Sequence, residues 1–208
     1  MKFKEYCKNI ELVTCDMWEG FTTLIHRYCK NADIVYDKFH IIRHLNHSLN
    51  EVRKNIIKDK SIFEDKKKEL KGKKYLILSN KNNLTKEKKS DLVNILKISN
   101  DLKVAYELKE EFIKLFNEKL TLSKAEIKLN DWKLKALSSN LKPYIKFVKM
   151  LDNWHHGVIN YFKYYVTNAL AEGINNKIKT VKKIAYGYRN PNNFKAKILQ
   201  SMALGKNI

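Results

Sequence analysis

The period of hydrophobic and polar positions changes several times along the chain. Ile10-Glu11-Leu12-Val13-Thr14-Cys15 is a β-prone run that stops at Asp16. Trp18, Phe21, Ile25 and Tyr28 then recur at helical spacing, with Asn31 as a helix end. Ala32-Asp33-Ile34-Val35-Tyr36 predicts a second strand, stopping at Asp37. Strand, helix, strand with a connection of this length predicts parallel pairing through a crossover. From His40 the helical period returns through Ile41, Leu45, Leu49, Val52 and Ile56.

Residues 58–90 interrupt this pattern. They carry twelve Lys against five acids, include Gly72 and show little periodicity, which predicts a solvated loop or small insertion. Tyr75-Leu76-Ile77-Leu78 is one apolar run within it, a turn of helix or strand. Three helices should follow, marked by Leu92, Leu96 and Ile98, then by Leu102, Ala105, Tyr106, Phe112, Ile113 and Phe116, then by Ile127, Trp132, Leu134 and Leu137. Pro143 suits the first turn of a helix running six turns through Ile145, Val148, Leu151, Trp154, Val158, Phe162 and Tyr165. Thr167-Asn168 offers an N-cap for a helix through Glu172, Ile174, Ile178 and Val181. Asn190-Pro191 opens the last helix, with Phe194, Ile198 and Met202 inward. Trp18, Trp132 and Trp154 fall on apolar faces and are expected in the core. The class is therefore α/β and mostly helical: one βαβ unit, residues 1–57; a basic loop and helical insertion, 58–140; and C-terminal helices, 141–208.

Two parallel strands make no independently stable sheet and leave bare edges open to pairing. Further strands should lie beside them, encoded before Met1.

Charge sharpens the picture. Forty-two Lys and Arg against 22 Asp and Glu give +20. Such a field favours a polyanion, nucleic acid first and an anionic membrane surface second. Only Arg27, Arg43, Arg53 and Arg189 are arginines, and Asn and Ile are abundant, so an AT-rich coding sequence is an alternative source of the same composition. There is no run of 18 apolar residues to cross a membrane and no apolar leader at the start. A third class, an amphipathic protein lying on a membrane, fits poorly, because the large aromatic residues of the long helices suit a folded core. Cys7, Cys15 and Cys29 contain no C-x-x-C, which excludes a disulfide framework and a four-ligand zinc site. Reduced thiols in a cytoplasmic protein are expected.

In open α/β sheets, chemistry collects at the carboxyl ends of parallel strands. Asp16 and Asp37 both sit there. Glu172 is the last acid of the chain, and Lys177, Lys179, Lys182, Lys183, Arg189, Lys195, Lys197 and Lys206 follow it. Carboxylates beside a basic segment suit Mg²⁺ held against a phosphate backbone. Two such ions about 4 Å apart activate a nucleophile and stabilise a leaving oxygen. Structural alternatives stay open: Asp16 as the cap of a helix starting at Met17, Glu172 as a favourable charge at a helix N-terminus, Asp37 as a turn residue. His40 would touch DNA, orient Asp37, or simply pack. His155-His156 have no ligand partner at i+4 and read as surface or core residues.

Four ordered motifs carry a resemblance. Cys15-Asp16-Met17-Trp18-Glu19-Gly20-Phe21, Asp37-Lys38-Phe39-His40, Thr167-Asn168-Ala169-Leu170-Ala171-Glu172-Gly173-Ile174-Asn175-Asn176-Lys177-Ile178-Lys179 and Ala185-Tyr186-Gly187-Tyr188-Arg189-Asn190 resemble the DDE transposases of bacterial insertion sequences. The segments 78–85 and 105–109 are similar to that class as well, and the likeness runs from about residue 10 to 203.

The resemblance implies an RNase H-like domain, here a partial one, with a large helical insertion before the glutamate. It also implies Mg²⁺ or Mn²⁺ held by three acids for strand cleavage and transfer. Asp16 would be the second acid and Glu172 the third. The first would lie in an Asp-Glu that no residue before Asp16 supplies. Alone, the chain is therefore expected to be inert. DNA, both transposon ends and target, is the implied partner, with self-association a further possibility and no membrane. Arg43, Asn176, Lys177, Lys179, Lys182, Lys183 and Arg189 are the candidate DNA contacts. The rival reading is a non-catalytic helical DNA-binding or regulatory module.

Overall fold

The computed structural model describes residues 2–204, with side chains for 5–169 and 171–203. Its elements are α1 (Lys2–Lys8), β1 (Leu12–Cys15), α2 (Glu19–Tyr28), β2 (Asp33–Tyr36), α3 (Lys38–Lys58), α4 (Glu64–Gly72), α5 (Lys74–Leu78), α6 (Lys86–Leu96), α7 (Asn100–Asn117), α8 (Leu122–Ser138), α9 (Lys142–Asn153), α10 (His155–Ile159), α11 (Tyr161–Tyr164), α12 (Ala169–Ile184) and α13 (Pro191–Leu204). They fall into two compact units, 1–166 and 167–208. Among the described residues no helix is long and apolar enough to cross a membrane.

In the first unit β1 and β2 pair in parallel, with Leu12 opposite Asp33 and Cys15 opposite Tyr36. This two-stranded sheet is the whole of the sheet structure among the described residues. β2 is the inner strand: Ile34, Val35 and Tyr36 are buried, while three of the four β1 residues are only half-buried. Against β2 pack α10 and α11, and α3, α7, α8 and α9 pack on one another as the helical body, with α10 also touching α8 and α9. The inner faces of that body follow the helical period, Ile41, Leu45 and Leu49 on α3, Leu102, Ala105 and Phe112 on α7, and Tyr144, Phe147 and Leu151 on α9. At the centre Phe112 meets Phe116 at 4.7 Å, Trp132 at 4.6 Å and Phe147 at 5.4 Å between ring centroids. Two of the buried polar tips find backbone partners within this core. The Trp132 indole N–H donates to the Leu108 carbonyl at 2.9 Å, and the Tyr144 hydroxyl donates to the Ala105 carbonyl.

The structure corrects four expectations. Residues 58–90 are largely helical rather than a loop. Leu70 and Ile77 are fully buried, and Arg53, itself buried, donates to the Leu70 carbonyl at 2.9 Å, so a few apolar anchors hold short helices in this lysine-rich segment. The helix expected from Pro143 to Tyr165 breaks into α9, α10 and α11. Gly157 lies so close to the Tyr36 ring that an added Cβ would come within 2.3 Å of it, and the Asn160 amide donates to the Ile34 carbonyl at 2.9 Å. Contact with the sheet therefore overrides straight helix propagation. On α8 the inner stripe is Ala125, Leu129, Trp132 and Ala136, whereas Ile127 and Leu134 are exposed. Small residues let the neighbouring helices approach, and the larger apolar residues pointed to the wrong face. Trp18, expected in the core, is 58% exposed.

In the second unit α12 and α13 pack together. Phe194, Ile198 and Met202 are the half-buried positions expected for α13. Between the helices Tyr186 (φ 51°) and Gly187 (φ 109°) are left-handed, and their N–H groups bond back to the Lys183 and Lys182 carbonyls. That closure caps the end of α12.

Candidate functional site

Parallel register decides what lies at the carboxyl edge of the sheet. With Cys15 opposite Tyr36, the next residues, Asp16 and Asp37, emerge side by side, and the Asp37 N–H donates to the Cys15 carbonyl at 3.1 Å. Asp37 is buried and caps α3, its Oδ1 accepting the Phe39 N–H at 3.1 Å. Asp16 does not cap a helix starting at Met17. α2 begins at Glu19 with Trp18 as its N-cap residue, and Asp16 stands before it on non-helical backbone.

His40, in the first turn of α3, reaches back to Asp16 with Nε2 at 3.0 Å from Oδ1. Asp16, Asp37 and His40 each present one ligand atom, and the three atoms lie within 4.8 Å of one another. Two carboxylates suit a hard divalent ion; imidazole suits one less well. The rim is aromatic. Trp18, Phe21 and Phe39 are exposed, Trp18 and Phe21 meet edge to face at 4.8 Å, and Phe39 lies 5.8 Å from the His40 ring. Gly20 sits under the Trp18 ring, where an added Cβ would fall within 2.5 Å. Beneath the acids, burial and then the charge of Asp16 push the Cys15 thiol up to about 11. It is therefore no nucleophile at neutral pH.

The sequence placed Asp16 and Asp37 together at the strand ends but assigned only Asp16 to the site, and it set His40 against Asp37 rather than Asp16. The signal was present: two equal strands, each ending in Asp, must place those acids together once paired in parallel. Arg43 lies three residues after His40 on α3, exposed.

The other candidates belong to the second unit. Glu172 is exposed in the first turn of α12, where Thr167 Oγ1 accepts the Ala169 N–H at 3.3 Å. Glu172, Asn176, Lys179 and Lys183 follow the i, i+4, i+7, i+11 spacing that lines one helical face. Lys177 falls off that line toward Ile174 and Val181 and is half-buried, while Lys182 and Arg189 are exposed. Arg189 follows the left-handed turn and precedes Asn190, whose Oδ1 caps α13 through the Asn192 N–H at 2.9 Å.

Among known proteins, the sequence profile of the ISL3 class of DDE enzymes, described as transposase, matches residues 1–198. A transposase for the insertion sequence element IS1001 of Bordetella parapertussis is 27% identical over 194 residues, which is 92% of this chain and 47% of that protein. The chain thus spans about half the length of the curated relative it matches. No solved structure matches it.

Proposed function

The chain belongs to the ISL3 class of DDE transposases, and on that premise we propose that it carries Asp16 and Glu172 as two acids of a divalent-ion site acting on insertion-element DNA. The fold of the first unit is read as part of an RNase H-like domain with a large helical insertion. The observation that carries the proposal is the edge of the β1–β2 sheet. Asp16 emerges there beside Asp37 and His40, their ligand atoms within 4.8 Å, inside a segment that the family profile covers.

The residues have separable tasks. Asp16 and Glu172 would hold Mg²⁺ or Mn²⁺ through carboxylate oxygens, and Asp37, already committed to capping α3, fixes the strand end on which Asp16 depends. When bound, the ion supplies charge stabilisation at the scissile phosphate and at the oxygen that leaves. Arg43, Asn176, Lys177, Lys179, Lys182, Lys183 and Arg189 would hold the phosphate backbone. Such contacts orient the duplex without reading its sequence.

The test pairs two titrations on the full chain. Duplex DNA should bind with a logarithmic salt slope near −0.9 per phosphate contact, about −4 to −6 for this set. Mn²⁺ should bind, and Asp16→Asn and Glu172→Gln should each weaken it about tenfold. DNA binding without divalent-ion affinity would instead mark a helical DNA-binding module. Absence of both would overturn the proposal.

A further inference from the structure

We propose that Trp18 and Phe39 are a stacking platform for an unpaired base of DNA, held at the sheet edge beside Asp16 and Asp37. This rests on reading DNA as the partner and Asp16 as an ion ligand, and it adds a seat for the part of the nucleotide that the acids do not touch.

The two strand ends repeat one arrangement. Asp16 is followed by Met17 and then Trp18, and Asp37 by Lys38 and then Phe39. In each case the middle residue is committed to the body of the first unit. Met17 packs against its core, and Lys38 donates to the Phe116 carbonyl at 2.9 Å and to Asn117 Oδ1 at 2.7 Å. The aromatic residue is left outside, Trp18 58% and Phe39 62% exposed. Parallel pairing puts both strand ends on one edge, and the two segments meet at the acids, where His40 Nε2 lies 3.0 Å from Asp16 Oδ1.

The rings are exposed but held. Trp18 is the N-cap residue of α2, its carbonyl accepts the Phe21 N–H at 3.0 Å, and its indole meets the Phe21 ring edge to face at 4.8 Å. Gly20 leaves room for the indole, since an added Cβ would come within 2.5 Å of Cη2. Phe39 is fixed through its N–H, bonded to Asp37 Oδ1 at 3.1 Å, and stands edge-on 5.8 Å from the His40 ring. A flat ring already in place loses little freedom on stacking, and every base offers it a π face. Charge selects between a base and an apolar protein segment. The segment would have to strip water from the Asp16 carboxylate, 44% exposed, which is costly. A nucleotide instead brings a phosphate that, with a divalent ion on Asp16, answers that charge. A chain of net charge +20 also draws a polyanion to itself.

The experiment titrates the full chain with labelled single-stranded oligothymidylate in Mg²⁺. Wild-type tryptophan emission should be quenched, and that of Trp18→Leu should not, because Trp132 is buried and Trp154 half-buried. Anisotropy should show Trp18→Leu and Phe39→Leu each weakened about tenfold, the scale of one lost base–aromatic stack, with Trp18→Phe keeping most of the affinity. Leucine retains apolar bulk and removes the π face, and both positions are exposed, so the core is untouched. An oligomer of the same phosphates on abasic sugars should bind the wild type and Trp18→Leu alike. Wild-type affinity in Trp18→Leu, or an equal loss on the abasic oligomer, overturns the inference, and the rings then belong to a protein contact. Replacing Mg²⁺ by a chelator separates the two readings. Weaker quenching without the ion supports both, whereas unchanged quenching upholds the platform and refutes the ion reading of Asp16.

Discussion

Phe112 in residues 1–166 is fully buried and touches three other rings, whereas Tyr188 and Phe194 in residues 167–208, 5.0 Å apart, are both only half-buried. Charge divides the same way. The first unit has thirty-four cations and twenty-one acids, and many of its lysines are paired locally: Lys73 with Asp91, Lys135 with Glu111, Lys163 with Asp33. Residues 167–208 have eight cations and the single acid Glu172. One region spreads a surplus of 13 cations over 166 residues, around a core and surface ion pairs. The other carries a surplus of 7 over 42 residues, about twice the density, with one acid against it. A field of that kind attracts a polyanion, and the second unit concentrates it.

The largest expected difference is in packing. Phe112→Ala should cost about 3–5 kcal/mol, read from the urea midpoint, because its neighbours cannot close the space. Phe194→Ala should cost less than about 1 kcal/mol, since half-buried apolar area contributes proportionally less. Comparable losses would break the contrast between the regions.

Next is DNA affinity. Replacing Lys177, Lys179, Lys182 and Lys183 together by Ala should reduce the salt slope by about 3 to 4. Replacing Lys73, Lys128, Lys135 and Lys163 should leave it nearly unchanged, because those side chains face acids. Fluorescence anisotropy on a labelled duplex distinguishes the sets.

The smallest effect concerns pH. The bond from Lys163, at 2.7 Å, and then the Tyr164 hydroxyl hold the Asp33 carboxyl below its ordinary value. Its contribution to stability is therefore present above the unfolded carboxylate value of about 3.9 and is lost as pH falls through the depressed folded one. Asp33 is partly exposed, which limits the effect to less than about 1 kcal/mol. Thermal melts between pH 5 and 2 should show Asp33→Asn losing less stability on acidification than the wild type.

Much of the fold was legible because the signals were periodic. Both strands, their parallel pairing, the long α3 and the inner face of α13 follow from spacing alone. The misread parts share one physical cause: tertiary contact decided them. Ala125 and Ala136, not Ile127 and Leu134, face the core of α8 because close helix approach favours small residues there. The interruption between α9 and α11 depends on Gly157 fitting beneath Tyr36, a contact 121 residues apart in sequence. Lysine-rich residues 58–90 hid Leu70 and Ile77, two anchors too sparse to produce a period. At the candidate site Asp16 was found by its place at a strand end and by the resemblance. His40 was set against Asp37 or DNA rather than Asp16, because a cap residue and the histidine three positions later reveal their neighbours only once the strands are paired.

The central proposal, drawn from the family's motifs, is that Asp16 and Glu172 serve one ion. The most direct measurement adds substoichiometric Mn²⁺ to the ¹⁵N-labelled chain and follows paramagnetic broadening of backbone amides. The amides around Asp16 and those around Glu172 should fade at the same Mn²⁺ level, and Glu172→Gln should restore both sets together. Broadening confined to Asp16, Asp37 and His40, and unaffected by Glu172→Gln, would contradict it.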